Sequence, residues 1–252
     1  MIAALPMYCF DHNAAAHGRL WALIRDGLRD HGIAAPDALD RLTHHVEGWG
    51  RADLVLGQIC NLPYRAVFRD RVTLIAACDH RMTGTAPGYY RSVLLVRADD
   101  PAADLAAAAA YRMAINDPLS QSGWGAPHAF ATTMGLRLNP VLRTGSHVES
   151  LRAVADGRAG LAALDGVTFG HLSRCEPAVA RVRVIGRTHA SPAMTLITAG
   201  RRDPAPYRAA ISAALAALDA ADRADLGLHG IVALPEKAYD IPLPPVPAAF
   251  AV

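Results

Sequence analysis

The chain has 252 residues, of which 52% are hydrophobic and 19% are charged, and its formal net charge at pH 7 is +2. These values are typical of a well-packed protein with one large domain or two smaller ones, and they exclude a disordered or fibrous chain. A charge so close to neutral gives no electrostatic basis for binding nucleic acid. Because no apolar run approaches the ~20 residues that span a bilayer, no membrane insertion is expected.

Predicted strands and helices alternate along the chain. In chain order they are strand 2–7, helix 14–31, strands 42–46, 53–56, 72–77 and 92–96, a short helix after residue 101, strand 113–115, a helix that opens at residue 122 and runs through 126–134, strand 141–143, helix 146–156, strands 161–164, 181–185 and 194–199, and helix 204–221. This alternation predicts an α/β fold with mixed, largely parallel sheets.

The N-terminal sequence MIAALPMYCF is apolar, but it has no positively charged segment and no small-residue cleavage site, and Pro6 interrupts it. We expect a first strand here rather than a signal peptide. The expected location is therefore the cytoplasm for the chain as written, and the periplasm if the true start lies upstream.

The most informative pattern is SQSG, residues 120–123, which we call the SxSG segment. It lies where a predicted strand turns into a helix, and the first N–H groups of a helix lack internal partners at the positive end of its dipole. Ser120 and Ser122 add hydroxyl donors, and Gly123 lets a ligand approach the backbone closely. The pattern favours a phosphate-like oxyanion site. A helix cap formed by either serine is the simpler alternative.

A second pattern is GSH, residues 145–147, which we call the GSH turn; it also follows a strand and opens a helix. Ser146 and Glu149 have capping-box spacing, so each can satisfy the other's backbone donor. His147 lies in the first helical turn, where its ring can donate an N–H to an anion, although an ordinary surface histidine is the alternative. Two such helix starts favour convergence on one anion.

Ligands of α/β proteins bind beyond the carboxyl ends of strands, which directs attention to further residues. Tyr8 and Gln58 each follow or end a predicted strand. Asp165 ends an apolar strand, where it can accept a hydrogen bond from a ligand or cap the following helix. Tyr90 belongs to a tyrosine pair before strand 92–96, and alternation directs one tyrosine to the core and the other toward a ligand.

The order of these segments resembles the substrate-binding proteins of phosphate, phosphite and phosphonate ABC transporters, over about residues 1–200. The resemblance is most specific in SxSG followed by GSH, V-A-x-G and a strand that ends in Asp. It implies a two-lobed type II periplasmic-binding-protein-like fold with two hinge strands, near residues 92–97 and 191–195. Lobe 1 would take residues 1–94 and lobe 2 residues 95–190. Residues 191–252 would return to lobe 1 with a C-terminal helix and a Pro-rich tail.

The resemblance also implies a set of ligand-binding residues. By their positions in the motifs these are Ser120, Gln121, Ser122, His147, Asp165 and Tyr90, and the arguments above add Gly123, Tyr8 and Gln58. Family members usually carry a small hydroxyl residue where this chain has Gln121, so the pocket is expected to differ from its relatives at that point.

The expected function is that of a solute-binding protein for a small oxyanion such as phosphate or a phosphonate, clamped between two lobes and passed to an ABC permease. The resemblance implies a monomer, and we expect no catalytic residue and no cofactor. We also expect no metal, because the four cysteines form no C-x-x-C pair. One alternative is a cytosolic enzyme on the same fold, similar to chorismate dehydratase or the thiamine-pyrimidine synthases, with His147 and Asp165 as acid and base. A cytosolic ligand sensor is the other.

Overall fold

The computed structural model describes residues 1–250. Their strands are β1 (Ile2–Ala4), β2 (Leu54–Ile59), β3 (Val72–Asp79), β4 (Tyr89–Tyr90), β5 (Ser92–Arg97), β6 (Arg112–Ile115), β7 (Asn139–Arg143), β8 (Leu161–Asp165), β9 (Val182–Arg187), β10 (Ser191–Pro192), β11 (Thr195–Ala199) and β12 (Gly230–Val232). Their α-helices are α1 (Ala14–Asp30), α2 (His45–Trp49), α3 (Asn61–Pro63), α4 (Leu105–Ala108), α5 (Ala126–Thr133), α6 (His147–Ala155), α7 (Gly166–Cys175), α8 (Ala205–Ala217) and α9 (Ala220–Leu226). None of the helices formed by residues 1–250 combines the length and apolarity needed to cross a membrane.

The chain divides into two units. Unit 1 comprises Met1–Tyr89 and Pro192–Asp240, and unit 2 comprises Tyr90–Ser191 together with the residues from Ile241 onward. The chain leaves unit 1 within the short strand β4 and returns to it within the short strand β10. β4 and β10 pair with each other.

The Pro-rich tail groups with unit 2, whereas residues 191–252 were expected to return to lobe 1. The indole Nε1 of Trp124 donates a hydrogen bond to the Pro245 carbonyl oxygen at 2.9 Å. Phe250 packs against the hydrophobic cluster of unit 2 that also contains Trp124. These contacts join residues far apart in the chain, so no local sequence pattern predicts them.

Unit 1 is built on a five-stranded sheet in the order β1-β2-β11-β3-β12. β1 and β2 are parallel, whereas β11 runs antiparallel to its neighbours β2 and β3. One hydrophobic cluster joins this sheet to α1 and α8, with Trp21 and Ile211 buried in it. The two helices approach closely because Gly27 has no side chain; a Cβ there would lie 3.1 Å from the Cβ of Ala210.

Unit 2 is built on a second five-stranded sheet in the order β7-β6-β8-β5-β9. β6 is parallel to β7 and to β8, and β5 is antiparallel to β8 and to β9. Its core contains buried side chains from the central strands, among them Leu94, Met113 and Leu161. The carboxyl ends of β6, β7 and β8 and the beginning of β5 therefore lie on one side of the sheet, which we call the strand-end edge of unit 2.

The expectation of largely parallel sheets is wrong, because five of the eight strand pairs in the two five-stranded sheets are antiparallel. Two of the predicted elements are also wrong. Residues 42–46 form no strand; the chain is irregular before α2, and Leu42 is 98% exposed. The predicted helix 204–221 is interrupted, because Leu218 adopts an extended conformation with ψ 142°. The Asp219 carboxylate then caps α9 by accepting a hydrogen bond from the Asp222 N–H at 2.7 Å.

Candidate functional site

The topology of unit 2 brings four predicted segments to its strand-end edge. The SxSG segment follows β6, the GSH turn follows β7, and Asp165 ends β8; these three strands run in the same direction. Tyr90 precedes β5, which runs in the opposite direction, so it lies at the same edge. Ser92, the first residue of β5, pairs in register with Asp165.

The SxSG segment forms a helix start. Ser120 is the N-cap, and its Oγ accepts a hydrogen bond from the Gly123 N–H at 3.0 Å. A π-helical turn, Gln121–Gly125, follows and continues directly into α5, and residues 120–125 are buried. The cap alternative is therefore right for Ser120. Its hydroxyl accepts that bond through a lone pair, so its hydrogen can still be donated to a ligand.

Gly123 is needed for close packing against Asn116. A Cβ on Gly123 would lie 1.9 Å from the Asn116 Oδ1, an oxygen that is buried and has no hydrogen-bond partner in residues 1–250. The Asn116 carbonyl oxygen accepts a hydrogen bond from the Gly145 N–H at 3.0 Å. Asn116 therefore contacts both the SxSG segment and the GSH turn. Asn116 was not among the residues predicted from the sequence, although its position directly after β6 was a usable signal.

The GSH turn begins α6 in the expected way, but its capping box is only half formed. Ser146 Oγ accepts a hydrogen bond from the Glu149 N–H at 3.1 Å. The Glu149 carboxylate pairs with Arg152 at 2.8 Å. Thr144, just before the turn, fixes it to β6 through its N–H, which donates to the Ile115 carbonyl oxygen at 2.9 Å.

The two helix starts are joined by a direct contact between Ser122 and His147. Ser122 Oγ lies 2.8 Å from His147 Nε2, and it also lies 3.5 Å from Ser120 Oγ. Burial lowers the pKa of His147 to about 4, so the ring is neutral at pH 7. Part of the residue is exposed, but its Nδ1 is buried and has no hydrogen-bond partner among the described residues.

This Ser–His pair is suited to binding an anion rather than to nucleophilic catalysis. An activated serine needs a histidine whose other ring nitrogen is oriented by a third group, usually a carboxylate. His147 Nδ1 has no such partner in residues 1–250, and the lowered pKa makes the imidazole a weak base. If His147 Nε2 donates to Ser122 Oγ, the Ser122 hydroxyl can donate its own hydrogen to an anion.

Asp165 and Tyr90 are both deeply buried at the same edge. Asp165 is 1% exposed and caps α7; its Oδ1 accepts hydrogen bonds from the Val167 N–H at 2.7 Å and the Thr168 N–H at 3.0 Å. Tyr90 is 2% exposed. The alternative that Asp165 caps the following helix is therefore correct. A contact of either side chain with a ligand stays a prediction.

Tyr8 and Gln58, the other two candidates, belong to unit 1. Tyr8 has a positive φ of 65°, and its ring meets that of His80 edge-on at a centroid distance of 5.0 Å. The Gln58 Oε1 is buried and has no hydrogen-bond partner among the residues the structure describes. Both side chains line an internal cavity of unit 1.

One sheet edge of unit 2 carries two helix starts, two serine hydroxyls and a neutral histidine. These features are typical of an α/β protein of the small-anion-binding class. Within residues 1–250 no cluster of three or more His, Cys, Asp or Glu side chains is arranged to hold a metal ion.

Residues 40–239 match the family described as the periplasmic substrate-binding protein of phosphonate ABC transporters, and the chain belongs to this family. The family expected from the sequence is thereby confirmed. No curated protein sequence is detectably similar to the chain.

Solved structures confirm the expected two-lobed periplasmic-binding-protein fold. PhnD1 from Prochlorococcus marinus in complex with methylphosphonate is 15% identical, with a TM-score of 0.70 over 95% of this chain and 93% of that one. A Xanthomonas citri protein bound to chloride ion is 17% identical, with a TM-score of 0.67 over 94% and 92% of the two chains. A binding component of a phosphonate ABC transporter from Pseudomonas aeruginosa is 17% identical, with a TM-score of 0.63 over 95% and 82%.

Proposed function

We propose that the chain binds a small tetrahedral oxyanion, foremost a phosphonate, at the strand-end edge of unit 2. The observation that carries this proposal is the 2.8 Å contact between Ser122 Oγ and His147 Nε2, which joins two helix starts. Helix starts bind phosphate-like anions because their N–H groups and dipole point at the ligand. The methylphosphonate complex of PhnD1 from Prochlorococcus marinus supports the choice of ligand class.

Each candidate side chain has a distinct part in this proposal. Ser120 and Ser122 donate hydroxyl hydrogens to the anion, and His147 fixes the orientation of the Ser122 hydroxyl. Gly123 lets the SxSG backbone pack against Asn116, whose Oδ1 occupies the space that a side chain would fill, so the sequence expectation that a ligand approaches the backbone there is not part of the proposal. Gln121, which is 2% exposed, adds an amide at the position where relatives carry a small hydroxyl residue and so makes the pocket narrower.

Asp165 and Tyr90 serve the other end of the ligand in this proposal. A carboxylate repels the anionic head of a phosphonate, so Asp165 favours ligands whose far end carries an amine or another hydrogen-bond donor. Tyr90 contributes an aromatic surface for the carbon substituent. Tyr8 and Gln58 remain candidates on unit 1.

Isothermal titration calorimetry with methylphosphonate, 2-aminoethylphosphonate, phosphite, phosphate and sulfate tests the proposal. We expect at least one of the phosphorus oxyanions to bind. Ser122→Ala should weaken that ligand about 10- to 150-fold, because a hydrogen bond to a charged group contributes about 1.5–3 kcal/mol.

Ser173→Ala is the matched control for this titration. Ser173 is an exposed serine of α7 in the same unit, and its Oγ donates to the Phe169 carbonyl oxygen at 2.8 Å. Its replacement should leave the affinity unchanged. Failure of all five anions to bind, or equal affinities for the two variants, would contradict the proposal.

We further propose that the protein delivers its ligand to an ABC permease from outside the cytoplasmic membrane. Membership of a family of periplasmic substrate-binding proteins supports both the partner and the location. Reconstitution with the permease and ATPase from the same gene neighbourhood tests it, since the loaded protein should stimulate ATP hydrolysis in proteoliposomes. Equal rates with loaded protein and with ligand alone would refute the partnership.

A further inference from the structure

Unit 1 contains an internal cavity of about 20 Å³. Most of its wall is apolar and includes Leu5, Leu20 and Ile24, but the side chains of His17 and Gln58 also line it. A cavity needs about 10–15 Å³ of such space to hold one water molecule. The volume therefore suits a single water and no larger ligand.

His17 and Gln58 each leave one buried polar atom without a partner. These atoms are His17 Nδ1 and Gln58 Oε1, for which residues 1–250 supply no hydrogen-bond partner. Both residues are only 5% exposed, so bulk water does not satisfy them. Buried polar groups in folded proteins are almost always hydrogen-bonded, to protein or to ordered water.

The surroundings make both of these atoms acceptors. His17 Nε2 lies 3.3 Å from the Tyr8 carbonyl oxygen, which can only accept, so Nε2 carries the hydrogen. Burial lowers the pKa of His17, and in the resulting neutral ring Nδ1 carries a lone pair. The Gln58 side chain also hydrogen-bonds Cys78 and thereby lowers the pKa of that thiol, so its amide nitrogen donates in this bond and its Oε1, which can only accept, is the atom without a partner.

We propose that one internal water molecule occupies this cavity and donates one hydrogen to Gln58 Oε1 and the other to His17 Nδ1. Two acceptors cannot satisfy each other, and a water molecule supplies two donors in the available volume. An ammonium ion has a similar size, but burying its charge against a mostly apolar wall is far more costly.

The water also has a consequence for the backbone at Tyr8. It holds His17 in the form protonated at Nε2, the form that donates to the Tyr8 carbonyl. Asn13 donates to the same carbonyl oxygen from its Nδ2 at 2.9 Å. These two bonds support a tyrosine whose φ of 65° is uncommon for a residue with a bulky side chain.

A crystal structure of the ligand-free wild-type protein, at a resolution that shows ordered water, tests the proposal directly. We expect one density peak within about 2.7–3.2 Å of both Gln58 Oε1 and His17 Nδ1. The absence of a peak, or a peak in contact with only one of these atoms, would overturn it.

Histidine ¹⁵N spectroscopy gives a second readout, with the His17 signals assigned from a His17→Gln spectrum. The wild-type ring should be protonated at Nε2 and should show a hydrogen-bonded, unprotonated Nδ1. Gln58→Met keeps an unbranched side chain but removes the amide, so the water should be lost and the Nδ1 resonance should shift. The control variant His31→Gln, at an exposed histidine of unit 1, should leave the His17 Nδ1 resonance unshifted. A protonated Nδ1 in the wild type, or an unshifted resonance in Gln58→Met, would count against the water.

Discussion

Lowering the pH from 7 to 5 should destabilise the ligand-free protein through His147. The pKa of this histidine falls from 6.5 to about 4 because burial disfavours its charged form. The unfolded chain therefore takes up a proton more readily than the folded one. The sign follows from linkage: the contribution of His147 to stability is fully present above pH 6.5 and is lost as the pH falls toward 4.

The expected size of this loss follows from the two pKa values. A histidine with a pKa of 6.5 when unfolded and about 4 when folded makes the free energy of unfolding smaller by about 2 kcal/mol between pH 7 and pH 5. The limit at still lower pH is about 3.4 kcal/mol, since each pKa unit corresponds to 1.36 kcal/mol.

Urea unfolding at pH 7 and pH 5 measures the effect, with His147→Gln as the reference protein. Glutamine can still hydrogen-bond Ser122 but does not titrate. Burial also lowers the pKa values of His17 and His128, and these contribute equally in both proteins and cancel in the difference. The wild type should lose about 2 kcal/mol more than the variant. Equal losses in the two proteins would show that His147 is not held neutral by burial.

Two further predictions concern packing and capping at the same edge. Gly123→Ala should reduce the free energy of unfolding by about 1–3 kcal/mol, because its Cβ would lie 1.9 Å from the Asn116 Oδ1. Asn116→Ala in the same chain should restore part of that loss, and a fully stable single variant would contradict the packing argument. Asp165→Ala should cost about 1–2 kcal/mol through loss of the α7 cap. Urea unfolding should show a smaller loss for Asp104→Ala, which removes the exposed N-cap of the four-residue helix α4; similar losses would refute a special role for the buried cap.

Much of the site could be predicted from the sequence because its parts are local patterns. A hydroxyl residue before a helix marks an N-cap, which identified Ser146 and narrowed the other cap to Ser120 or Ser122; the structure shows that it is Ser120. The contact between Ser122 and His147 could not be derived in this way, since it joins residues 25 positions apart. The role of Asn116 depends on packing against Gly123, which no residue preference reveals.

For the fold, too, the features set by local sequence could be predicted, whereas those set by contacts between distant residues could not. The α/β alternation follows from apolar periodicity, but a short apolar run does not reveal whether it is buried. The wrong strand prediction at residues 42–46 is an example: Leu42 is exposed and lies in an irregular segment. The break at Leu218 lies inside an alanine-rich stretch of strong helix formers, and only the Asp219 cap hints at it. The tail's place in unit 2 depends on a bond from Trp124 across more than a hundred residues.

A crystal structure of the protein with methylphosphonate bound tests most directly whether the SxSG segment binds the anion. We expect the phosphonate oxygens to lie within hydrogen-bonding distance of Ser122 Oγ and Ser120 Oγ, at the start of the helix that continues into α5. His147 Nε2 should retain its contact with Ser122. A ligand bound away from the SxSG segment, with Ser122 making no contact to it, would show that this segment is not the anion site.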